Sequence, residues 1–149
     1  MAILSNPFDL PRGRLLALDA GEARNGLAVC DELGLLASPL ATVPRARTRA
    51  EDFVRLAQVA ARERAVGILV GLPLDSTGQV GTQARRVQRY ARFMARELQL
   101  PIAFWDESFS TMHAAELLRA SGGRTPIDAA AAAVILADFL EARRGTTRE

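Results

Sequence analysis

Three carboxylates lie where apolar runs end or begin, which is where a side chain can leave a core and meet solvent. They are Asp19 in LLALDAG, Glu107 in IAFWDESFST and Asp128 in TPIDAAAAAVIL. Oxygen donors without histidine or cysteine partners suit hard divalent cations such as Mg²⁺ or Mn²⁺. Two such ions can hold the attacking and leaving oxygens of a phosphodiester during in-line displacement. The chemistry indicated is metal-dependent phosphodiester hydrolysis, that of a nuclease. Taken singly, each residue also has a structural explanation. Asp19 stands before Gly21 as in many turns, Asp106 is an equal beside Glu107, and Asp128 suits the positive end of a helix. The functional reading rests on the three together.

The elements that must position them follow from periodicity. Residues 14–20 and 25–30 read as two short strands joined by a turn, and 34–43 as a third in which Pro39 predicts an edge or a break. Thr48 and Glu51 form a T-x-x-E helix start, with Phe53, Leu56, Ala57 and Ala60 as the expected buried face. An apolar strand at 66–73 leads into a polar loop at 73–81 and a long helix to about 98. A strand at 102–107 precedes a helix over about 110–120, stopped by Gly122 and Gly123. The last helix is expected from Thr125 and Pro126 to about Arg143, with alanines 129–133 as a close packing face. This order predicts an α/β fold with one mixed five-stranded sheet flanked by helices. Functional groups in such sheets gather at the carboxyl ends of the parallel strands. The expected division is a flexible extension at 1–13, a single domain at 14–143 and a tail at 144–149.

Composition narrows the classes. A chain of 149 residues, nearly half hydrophobic, is about one domain with one core. No apolar run approaches the ~18 residues of a membrane span, and the N-terminus is unlike a secretory signal, so a cytoplasmic protein is expected. The lone Cys30 excludes an internal disulfide framework and thiolate zinc sites. His113, the only histidine, reads as an exposed helix residue with no evident partner or, less simply, as a proton shuttle or substrate contact near Glu107. A histidine-dependent hydrolase therefore has little support. Phe104 and Trp105 read as core residues of their strand. All basic residues are arginines, whose planar forks match phosphate. Arg85, Arg89, Arg92 and Arg96 recur on one face of the long helix, opposite Val87, Ala91, Met94 and Leu98. Such a stripe is either an ordinary solvated face or a track along nucleic-acid phosphates, supplying position rather than sequence readout. Arg24 and Gly26 could hold substrate, although a hairpin turn explains Gly26 equally. The loop with Gly71, Pro73, Gly78 and Gly81 is either a phosphate-touching loop or a plain crossover.

The series LLALDAGEARNGLAV, VGLPLDSTG, DESFSTMHAAELL and IDAAAAAVILADFL, spanning about Arg14 to Leu140, resembles the YqgF/RuvX family. The resemblance implies a ribonuclease H-like fold and metal-site positions for Asp19, Glu107 and Asp128. It also implies action on RNA, in maturing the 5′ end of pre-16S rRNA during ribosome biogenesis. One alternative is a Holliday junction-resolving DNA endonuclease acting on branched DNA, which needs a homodimer for two symmetric cuts. Another is a non-catalytic ribosome-assembly or nucleic-acid-binding factor. An actin-like ATPase would need a second large domain, for which the chain has no room. Ser108 departs from a family pattern that commonly has arginine there, leaving Arg119 or Arg124 as substitutes. Asp75 and Thr77 in the loop, and Glu22 beside Asp19, are further departures. These bear on substrate contacts more than on metal binding.

Overall fold

Residues 3–107 and 127–146 are described by the computed structural model of the protein. Side-chain alternation along the first strand sets the layers. In β1 (Leu15–Ala20), Leu16 and Leu18 point to one side of the sheet, while Leu15 and Ala17 point to the other. Both sides are buried, so helices must cover both. The remaining strands are β2 (Arg24–Cys30), β3 (Ala37–Pro44), β4 (Gly67–Leu72) and β5 (Ile102–Asp106). Their order is β3-β2-β1-β4-β5, antiparallel across β3-β2-β1 and parallel across β1-β4-β5. This is the expected mixed five-stranded sheet. Pro39 lies in the edge strand β3, at an irregularity where Leu27 pairs Ala41 but Ala28 pairs Pro39. An edge with a bulge tolerates the missing donor.

Helices α1 (Arg49–Arg62) and α2 (Thr82–Glu97) cover the Leu16 side, and α3 (Ile127–Thr146) covers the Leu15 side. The Thr48 hydroxyl caps α1 by accepting from the Glu51 N–H at 3.2 Å. Phe53, Leu56 and Ala60 are buried as expected; Ala57 is exposed, and Asp52 takes a buried place instead. On α3, alanines 129–133 are all buried, which lets the helix backbone approach the sheet closely. Residues 3–10 lie beside β5. Ile3 bridges to Ile102, Leu4 N–H donates to the Ile102 carbonyl at 2.8 Å, and Leu10 is buried. Arg143 of α3 donates to the Leu10 carbonyl at 3.0 Å. Phe8 and Phe139 stack, and Trp105 meets both edge-on while donating from Nε1 to Asp138. The expected helix over 110–120, with Ser108, His113, Arg119, Arg124 and the Thr125 cap, lies outside the described residues.

Asp52 is the one fully buried carboxylate among the described residues, and its partners explain why it is tolerated. It accepts from Arg45 Nε, from the Ala46 N–H at 2.6 Å and from the Tyr90 hydroxyl at 3.1 Å. Arg45 also lies over the Tyr90 ring and donates to the Gly21 carbonyl at 2.8 Å. Burial pushes the Tyr90 hydroxyl up to about 12, so it stays protonated and donates. Removing one partner of such a network leaves the others desolvated without compensation. Asp52→Ala should cost about 3 kcal/mol, read as a lower urea midpoint at unchanged slope. A loss below about 1 kcal/mol would mean that Arg45 and Tyr90 recover their hydration cheaply.

Candidate active site

Strand parity brings the acids to one face. Asp19 follows Leu15 and Ala17 at intervals of two, so its side chain points towards α3. On β5 the same parity runs through Ala103 and Trp105 to Glu107, which separates Glu107 from Asp106. Glu107 continues the sheet by one bond, its N–H donating to the Leu72 carbonyl at 3.2 Å. On β4, between these strands, the corresponding residue is Gly71. A Cβ there would stand 2.6 Å from Ile135 Cδ1 and 3.0 Å from Glu107 Oε2, so glycine leaves the space that Glu107 occupies.

Asp128 arrives from the other layer by a similar device. Gly26 of β2 is the register partner of Asp19. A Cβ at Gly26 would lie 2.0 Å from the Asp128 carbonyl oxygen and 3.0 Å from Ala129 N. The first turn of α3 therefore rests on the bare backbone of β2, directly across from Asp19. Gly26 lies within the strand rather than in a turn, and close approach is its reason. Arg24, two residues earlier on the same face of β2, donates from Nε to Asp128 Oδ2 at 3.0 Å.

The three acids sense one another. Glu107 donates a hydrogen bond to Asp19, and Asp128 adds its charge to the same spot. Burial, then the Asp19 charge, pushes Glu107 up to about 8; burial and Asp128 likewise raise Asp19. Burial and the neighbouring charges thus favour one proton shared between Asp19 and Glu107 over ionisation of both. Among the described residues no three acidic, histidine or cysteine side chains close around a metal position. Asp128 is paired with Arg24, while Asp19 and Glu107 are joined to each other. The donor chemistry nonetheless fits a hard divalent cation, which would replace both the proton and the guanidinium as countercharge.

Not every expected site residue joins this cluster. Arg85, Arg89, Arg92 and Arg96 are exposed on α2, with Val87, Ala91, Met94 and Leu98 buried beneath, as the spacing predicts. But α2 covers the opposite side of the sheet from α3, so the stripe and the carboxylates occupy different layers. In the 73–81 loop, the Asp75 carboxylate accepts from the Thr77 N–H, the Thr77 hydroxyl and the Gln79 N–H. These bonds hold its pKa below the usual carboxylate value. The Asp75 departure thus orders its own loop. Glu22 faces away from the acids and pairs with Arg86 at 2.7 Å.

Comparison with known proteins agrees with this architecture. Over residues 13–142 the chain matches the family model described as "RuvX: Holliday junction resolvase". A Streptomyces coelicolor protein named "Putative pre-16S rRNA nuclease" is 41% identical over 92% of this chain and 85% of its own length. A Synechococcus elongatus protein of the same name is 39% identical over 93% of this chain and 96% of its own. The Thermus thermophilus RuvC structure in complex with Holliday junction substrate superposes with a TM-score of 0.60. It is 18% identical and covers 90% of this chain and 97% of that one, a likeness of ribonuclease H-like fold. By the extent of the family match and the identity to its curated relatives, the chain belongs to the RuvX family.

Proposed function

We propose that the protein is a metal-dependent nuclease that hydrolyses a phosphodiester in RNA, with the 5′ end of pre-16S rRNA as its substrate in the cytoplasm. The observation that carries this reading is the arrival of Asp19, Glu107 and Asp128 from three elements on one face of the sheet. The names of the curated relatives support the RNA substrate. Asp19, Glu107 and Asp128 would hold two Mg²⁺ or Mn²⁺ ions. Bound there, the ions would acidify water and neutralise charge on the phosphoryl oxygens. Asp19, flanked by the other two acids, would be the central ligand of the set. Glu107 would give up its shared proton, and Asp128 would turn from Arg24. The freed Arg24 guanidinium is then available to a non-bridging phosphate oxygen. No side-chain base is then required, in keeping with a chain that carries a single histidine.

A second reading is supported by the family description and by the likeness to RuvC: resolution of branched DNA by a homodimer. The test is cleavage of an end-labelled pre-16S leader RNA and of a four-way DNA junction, each with Mg²⁺, with Mn²⁺ and with EDTA. The expected result is RNA cleavage that needs the ion, with the junction left intact. Paired symmetric cuts in the junction by a dimer would favour the second reading. Binding of RNA without cleavage under any ion would leave a non-catalytic assembly factor.

A further inference from the structure

On the other side of β1 from the carboxylates lies a cavity of about 400 Å³ to which no role has been given. Its walls include Gly21, Arg45, Arg49, Arg86, Arg89 and Tyr90. Such a volume is on the scale of small-ligand sites. Four guanidinium groups make it cationic and suit it to an anionic ligand. They are not equivalent. Arg45 is committed to Asp52 and Gly21, and builds the floor with Tyr90. Arg86 pairs with the exposed Glu22 at the rim. Arg49 lies 3.7 Å over the Phe93 ring, which fixes its plane and leaves its N–H edge available. Among the described residues neither Arg49 nor Arg89 meets a carboxylate. Arg89 also belongs to a second recess of about 250 Å³, with Arg92, Phe93 and Arg96. Arg85 lines neither recess.

Position relates this cavity to the acids. Asp19 points towards α3, whereas the next residues, Ala20 and Gly21, border the cavity. The Cα of Gly21 is at most about 7 Å from that of Asp19. One strand of nucleic acid crossing the end of β1 can therefore touch both. We propose that the cavity seats a backbone phosphate, with its sugar, of the strand whose neighbouring phosphodiester lies at Asp19, Glu107 and Asp128. In this arrangement Glu22 is an internal anion that occupies Arg86 until the strand displaces it. The proposal rests on the nuclease reading for the identity of its ligand.

Binding in EDTA separates the two ideas, because it needs no cleavage. The probe is a short single-stranded RNA with a 5′-hydroxyl and a 3′ label, so that only internal phosphates are offered. Arg49 and Arg89 are exposed, so substituting them leaves the core untouched; Arg45 is avoided because it holds the fold. The Arg49→Gln/Arg89→Gln double variant should bind roughly tenfold more weakly at moderate salt, its salt slope falling by about 0.7 per lost contact. Arg62→Gln removes one positive charge at the far end of α1, away from the cavity, and should change neither value appreciably. Glu22→Gln should bind more tightly, a sign that loss of structure does not produce. Unchanged affinity and slope in the double variant would overturn the phosphate seat, even with cleavage intact. Loss of binding by the double variant in a wild type that cuts nothing would retain the seat and remove the nuclease reading.

Discussion

Asp19→Asn protein should lose cleavage by on the order of a thousandfold or more while folding as well as the wild type. The two halves of this result have one cause. Asp19 is held between Glu107, which donates to it, and Asp128, whose charge opposes it. An amide keeps the shape and an oxygen acceptor for Glu107 but removes the charge that would attract an ion. It also removes a like-charge repulsion that the folded protein carries when only protein is present. Active sites commonly hold such unfavourable charge in exchange for function. The melting temperature should therefore match or exceed that of the wild type. A turn-forming role for Asp19 predicts the reverse pattern: reduced melting temperature with cleavage retained. Measuring both on one preparation separates the readings, and retained cleavage sinks the assignment of Asp19.

The acids were legible in the sequence because each stands at the end of an apolar run, and strand ends are where polar groups reach solvent. Parity was harder to read. IAFWDE is apolar on both faces, so alternation along β5 does not tell Asp106 from Glu107 until α3 is seen to cover one side. On α1, helical spacing favours Ala57 over Asp52 as a core position. Tertiary partners reverse this, because Arg45, Ala46 and Tyr90 satisfy the carboxylate. No local pattern announces a partnership between three separate elements. The arginine stripe was legible as a face of α2, since that depends only on the helical period. Its separation from the acids by the thickness of the sheet was not, because the choice of side is made by the crossovers. Gly26 illustrates the same limit: its reason is a helix backbone about a hundred residues further along the chain.

That contact makes Gly26 the most sensitive small residue in the site. In Gly26→Ala protein the new methyl would meet the Asp128 carbonyl carbon at 2.3 Å and its oxygen at 2.0 Å. Both are backbone atoms, so no change of rotamer relieves the overlap. Either α3 lifts from β2 at its first turn or β2 moves away from it. A lift would separate buried alanines 129–133 from their packing and carry Asp128 away from Asp19. Overpacking against backbone should cost about 3 kcal/mol or more, with cleavage falling in parallel. Gly145→Ala is the matched control. It lies near the other end of the same helix, and nothing stands within 4 Å of its added Cβ. Its stability should change by no more than about 1 kcal/mol, in the favourable direction if helix propensity governs. Chemical denaturation of the two variants checks the argument. Equal, small effects would show that α3 does not rest on the β2 backbone at Gly26, and the route by which Asp128 reaches the other two carboxylates would have to be redrawn.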